Sequence, residues 1–109
     1  MDVHGHLPLA PRDLLILAVL VEAPTHGYGL IKAVEARSES GVLLDPANLY
    51  RTLRRMRELG WIEEAGEDDD RRRVHRIAPR GRAVLMAELA RLERLLVRAR
   101  PALAQGRPG

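Results

Sequence analysis

The chain has 109 residues, enough for one domain around one modest core. It is 46% hydrophobic and 30% charged but only 3% aromatic, so it reads as globular, with a core drawn from Leu, Val, Ile and Ala. The absence of cysteine excludes disulfides, thiolate nucleophiles and Cys-ligated zinc, and a net charge of +3 is too slight by itself to demand a polyanionic partner.

Residues 1–10 are expected to form a loose lead-in, where His4 and His6 on a flexible end make a poor metal site. Met1 to Pro11 lacks a basic stretch followed by an apolar one, so no secretory leader is expected and the protein should be cytoplasmic. Pro11 suits the first turn of a helix, since its missing N–H costs nothing there. The helix, Arg12 to Glu22, contains the unbroken apolar run Leu14 to Val21. That run is far below the ~20 residues needed to cross a bilayer and favours a helix buried on most sides. Ala23-Pro24 ends it.

Thr25 is the expected N-cap of a second helix running to about Ser38, with Tyr28, Ile31, Val34 and Glu35 at helical spacing. Ser38 to Gly41 reads as a turn and Val42-Leu43-Leu44 as a minimal strand. Asp45-Pro46 opens a third helix, with a carboxylate cap and then proline at the first helical position; Gly60 closes it after Leu59. At about 100° per residue Leu49, Leu53 and Met56 share one side. Ala47, Arg51, Arg54 and Glu58 face the other way, flanked by Asn48, Tyr50 and Arg55.

Trp61 to Ala65 and Arg73 to Ala78 read as two short strands joined by the charged loop Gly66 to Arg72, which makes a β-hairpin. Pro79 breaks the second strand, and a long helix follows from about Gly81 to Leu103, with Gly106-Arg107-Pro108-Gly109 as a frayed tail. Along that helix Leu85, Leu89, Leu92, Leu96, Ala99 and Leu103 recur at spacings of four and three, a heptad seam with no break in register. A helix continuing past a domain that already has a core points to self-association through this seam.

Three helices, a hairpin and a final helix give a mostly α chain with a small β-hairpin: a winged helix-turn-helix over residues 1–80 and a dimerisation helix over 81–105. The physical logic fits double-stranded DNA. A helix entering the major groove needs one apolar side anchored on its own domain and one polar side free for phosphates and base edges. The third helix has both, and Arg71, Arg72 and Arg73 on the hairpin are candidates for the phosphate backbone. No Ser/His/Asp grouping, phosphate-cradling glycine loop or paired carboxylate set is visible, so neither an enzyme nor a cofactor is expected.

Four motifs carry a resemblance. They are Thr25-His26-Gly27-Tyr28-Gly29-Leu30-Ile31, then Asn48 to Met56 as Asn-Leu-Tyr-Arg-Thr-Leu-Arg-Arg-Met, then Glu58-Leu59-Gly60-Trp61-Ile62, and last Arg73 to Ile77 followed by Pro79-Arg80-Gly81-Arg82. Together they resemble the PadR family of bacterial transcriptional regulators over roughly Leu14 to Leu96. The resemblance implies a homodimeric repressor on a pseudo-palindromic operator, with DNA contacts from Asn48, Tyr50, Arg51, Arg54 and Arg55 and phosphate contacts from Arg72 or Arg73. It also places Thr25, His26 and Tyr28 at a helix N-terminus able to meet a phosphate. For Tyr28 the favoured alternative is burial between helices, and Tyr50 stays open between packing and phosphate contact. Arg51 stands where the family commonly has proline, and Ala78 where a capping Thr is more usual. The wing tip is unusually acidic at Glu67-Asp68-Asp69-Asp70. A small-molecule effector near the dimer centre is allowed by the same resemblance, although Trp61, the one large flat side chain, lies by the wing. The rival readings are a winged-helix module that binds protein, for which the acidic wing tip argues, and a sensor whose main business is ligand capture.

Overall fold

The computed structural model describes residues 3–106 and has the expected order of four α-helices and a hairpin. Helix α1 (Pro11–Glu22) starts with Pro11 in its first turn, and α2 spans Gly27–Arg37. Helix α3 (Pro46–Glu58) is capped by Asp45, whose carboxylate accepts the Asn48 N–H at 2.9 Å. It ends in a Schellman arrangement. Gly60 has φ +76, the Gly60 N–H donates to Arg57 O at 3.0 Å, and the Trp61 N–H donates to Met56 O at 2.8 Å. Strands β2 (Ile62–Glu67) and β3 (Arg73–Ile77) form the hairpin, and α4 spans Pro79–Gln105.

Three sequence expectations are corrected. Val42 to Leu44 form no strand. The third strand, β1, is instead Thr25–His26, antiparallel to β3 with Thr25 opposite His75, in the sheet order β1-β3-β2. Thr25 therefore does not cap α2; His26 does, its ring Nδ1 accepting the Gly29 N–H at 3.0 Å. The lead-in is also anchored. Its residues His4–His6 make a 3₁₀ turn, the His6 ring meets Trp61 edge-on with centroids 5.3 Å apart, and Leu9 enters the core. The expectations for residues 1, 2 and 107–109 lie outside the described residues.

The core gathers Ile16, Leu17, Val19 and Leu20 of α1 with Leu30 and Val34 of α2 and Leu49, Leu53 and Met56 of α3. Trp61 and Ile62 close it below the hairpin, and Val84 and Leu85 enter it from α4. Trp61 fixes the junction of wing and last helix: its carbonyl accepts the Ala78 N–H at 2.9 Å. A Cβ on Gly81 would lie 2.1 Å from that same oxygen, so only glycine lets α4 pass so close. Glu88 is 1% exposed; its Oε2 accepts the Leu9 N–H at 2.7 Å and an Arg91 Nη2 hydrogen bond at 2.9 Å. Beyond Glu88 the helix leaves the protomer. Leu89, Leu95, Leu96, Val97 and Leu103 are all exposed, whereas Leu85, expected in the self-association seam, is spent on the protomer's own core.

Candidate nucleic-acid interface

Helix α3 is held by Leu49, Thr52, Leu53 and Met56, all buried, and so presents the rest of its circumference outward. Ala47, Arg51, Arg54 and Glu58 lie on that outer side and are exposed. At its N-terminal end Asp45, Asn48 and Arg51 form a chain of hydrogen bonds, Asn48 amide to Asp45 carboxylate and Arg51 guanidinium to Asn48 Oδ1. Asp45 is held below the usual carboxylate range chiefly by the Asn48 backbone N–H. Arg54 has no ion pair or hydrogen bond through its side chain among the described residues and stands free for an anion.

The two flanks of α3 differ. Arg55 was expected to face DNA, but its guanidinium turns back onto Asp13 of α1. Asp13 is 4% exposed and also pairs with Arg12 at 3.2 Å, so Arg55 answers a buried carboxylate before it can answer a phosphate. On the opposite flank stand Tyr50 and Arg57. Arg57 was not among the expected site residues, yet it lines a cleft of about 390 Å³ with Tyr28, Tyr50, Arg72, Arg73 and His75. The signal was available: at about 100° per residue Arg57 falls within a few tens of degrees of Tyr50, on the edge that meets the hairpin.

Tyr28 is not buried between helices; it is 59% exposed, its ring parallel to His26 at 6.5 Å between centroids and under Lys32 Nζ at 5.4 Å. Tyr50 is likewise exposed. Thr25 has committed its hydroxyl to Ala23 O at 2.8 Å, and His26 has committed Nδ1 to the α2 cap.

Three of the wing's four arginines are answered by its own carboxylates. Asp68 accepts the backbone N–H groups of Asp70 and Arg72, each at 2.9 Å, and Arg72 Nε at 2.9 Å, which holds its carboxyl below the ordinary value. Arg72 Nη2 also reaches Asp70 at 3.0 Å, Arg73 lies 3.4 Å from Glu64, and Arg76 lies 3.0 Å from Glu63. Arg71, in the turn with φ +60, is exposed. No group of three or more potential metal ligands is assembled among the described residues, and none of their helices is long and apolar enough to cross a membrane.

A trihelical head with a guanidinium-bearing third helix, a flanking hairpin and a two-residue strand closing the sheet defines the winged helix-turn-helix class. Residues 16–87 match the model of the transcriptional regulator PadR-like family, and the chain belongs to that family. It is a PadR-family transcriptional regulator, which agrees with the expectation of a non-enzymatic protein. Among solved structures it is similar to a PadR-like transcriptional regulator of Bacillus cereus, at 19% identity and a TM-score of 0.71, covering 96% of this chain and 97% of that one. A PadR family transcription regulator of Clostridium difficile matches at 20% identity and a TM-score of 0.67, covering 82% and 97%. A transcriptional regulator of Clostridium thermocellum matches at 22% identity and a TM-score of 0.67, covering 86% and 89%. At such identities these likenesses bear on the fold alone. An uncharacterized 37.1 kDa protein in transposon Tn4556 of Streptomyces fradiae is 34% identical over 83 residues, 76% of this chain. The chain spans about a quarter of that relative's length, 23%.

Proposed function

We propose that the protein is a homodimeric repressor that occupies a pseudo-palindromic operator, with one α3 in each of two successive major grooves. The observation that carries this is the division of α3 into a side locked in the core and an outer side on which Arg54 is unpaired and Arg51 is held only by Asn48. Asn48, Tyr50, Arg51 and Arg54 are the proposed groove contacts. Thr25, His26 and Tyr28 are assigned to the phosphates beside the α2 N-terminus, and Arg72 and Arg73 to the flanking strand, as far as their acidic neighbours release them. Arg55 is assigned to holding α3 on α1. Two protomers pair through Leu89, Leu92, Leu96, Ala99 and Leu103, on the part of α4 that the protomer leaves uncovered. A small-molecule effector acts by changing the spacing of the two heads.

Fluorescence anisotropy with labelled duplex DNA over a salt series tests the reading. Binding should weaken steeply as salt rises, because each neutralised phosphate releases counterions. Arg54→Ala should lose about 1–3 kcal/mol of binding with fold and oligomer state intact; unchanged affinity removes Arg54 from the interface. The self-paired acidic wing favours one second reading, docking on a basic protein surface, and absence of duplex binding at low salt would select it.

A further inference from the structure

The cleft between α3, the start of α2 and the wing contains a feature that positioning on DNA does not by itself require. His75, on β3, is 4% exposed and lines the cleft, and its Nδ1 is buried with no hydrogen-bond partner among the described residues. An orphaned ring nitrogen at such depth is costly in a folded protein, and it is the kind of group that an arriving ligand can satisfy. Around it the charge balance is uneven. Arg72 is occupied by Asp68 and Asp70, and Arg73 leans on Glu64. Arg57 alone of the cleft's arginines has no carboxylate partner among the described residues. The exposed Tyr28 and Tyr50 carry hydroxyl groups at the rim, and Gly27 opens α2 beside them. One guanidinium left without a carboxylate, hydroxyl donors and a helix N-terminus suit a monoanionic tetrahedral group.

We propose, building on the DNA-binding reading above, that this cleft seats one phosphodiester of the DNA backbone against Arg57, and that its arrival draws a proton from solvent onto His75. The charges bearing on His75 are Arg57 from α3, Glu64 from β2 and Arg73 on its own strand, while β1 presents uncharged Thr25 in register and His26 beside it. Burial first, and then Arg57, keep the free imidazole neutral, below histidine's ordinary value; Glu64 opposes them. A phosphate placed on Arg57 cancels that repulsion and adds an attractive charge, so the protonated ring is stabilised in the complex. By linkage, a complex that takes up a proton forms more tightly as pH falls. Duplex affinity then reports ambient acidity through the reading head itself.

The test uses the full chain and a labelled duplex at low salt. Wild-type affinity should rise about 3- to 10-fold between about pH 8 and pH 6, within the tenfold per unit that one proton permits. Calorimetry in buffers of different ionisation enthalpy should register uptake of up to one proton per head. His75→Gln should still bind but show a flat pH profile and no uptake. Should that variant fail to fold, Arg57→Gln, an exchange at the cleft wall, carries the test alone: several-fold weaker binding, a salt slope shallower by about one, and a blunted pH response. A pH response that survives in His75→Gln assigns the proton elsewhere and overturns the proposal. So does Arg57→Gln binding like wild type, or proton uptake produced by inorganic phosphate without duplex. A wild type that binds no duplex at all fails the DNA reading itself, an outcome distinct from a binder blind to pH.

Discussion

The foot and the arm of α4 are one helix with one leucine rhythm, and they meet opposite fates. From Pro79 to Glu88 its inner residues Gly81, Val84, Leu85 and Glu88 are all buried in the protomer. From Leu89 onward Leu96 and Leu103 stand 52% and 86% exposed, in continuous register with the buried Leu85. The periodicity states which side of a helix is apolar; it does not state whose core that side completes. Where α4 lies over Trp61 and Leu9 the partner is its own chain, and where those neighbours end the stripe is left exposed, which is the surface proposed above for a second copy.

Substitutions along α4 should therefore change in kind as well as size. Gly81→Ala forces a methyl against the Trp61 carbonyl and should cost about 3 kcal/mol, the upper end for overpacking. Leu85→Ala should cost about 2–4 kcal/mol through lost burial and a cavity. Both losses should appear in thermal melts at any protein concentration; a concentration-dependent loss would place the foot in the interface after all. Glu88→Gln should follow, at about 1.5–3 kcal/mol near neutral pH, since it weakens hydrogen bonds to a charged acceptor. Its carboxyl is held below the usual range by Arg91 first, with the Leu9 N–H adding to the effect against desolvation. The stability it lends is thus complete above the unfolded carboxyl value of about 4.3 and is lost as pH falls through the lower folded value. Melts of wild type from pH 6 to below pH 4 should show that loss, and the Gln variant a flatter curve; parallel curves would deny Glu88 the role. Leu96→Glu should be smallest for the protomer, within about 0.5 kcal/mol as expected for an exposed site, yet should yield monomers on size-exclusion chromatography. It should also abolish the rise of melting temperature with concentration that pairing confers. A Leu96→Glu protein that still elutes as a dimer moves the pairing surface elsewhere.

What was legible in the sequence followed from local chemistry. Pro11, Asp45-Pro46 and Gly60 mark helix ends through groups within a turn of themselves, and the hairpin strands match their observed positions to within two residues. What was hidden depended on distant partners. Strand β1 exists because Thr25 finds His75, and no two-residue segment announces that. Arg55 looked like its neighbour Arg54 until Asp13, 42 positions earlier, arrived beside it. Arg57 fell between the apolar and polar sides of a helical wheel, and its importance appears only when the wing folds over that edge. The acidic wing tip was legible as a problem, and its solution, Asp68 wrapped by its own backbone and Arg72, required the turn geometry.

The tight passage of Gly81 beneath Trp61 makes α4 a lever clamped at one end. Its 27 residues reach about 40 Å at ~1.5 Å per residue. In the proposed dimer, a tilt of about 10° between the two rods would shift the two heads relative to one another by about 7 Å across that reach, roughly two base-pair steps of ~3.4 Å. Slack at the foot would absorb such a tilt before it reached the duplex; a foot without slack passes it on whole.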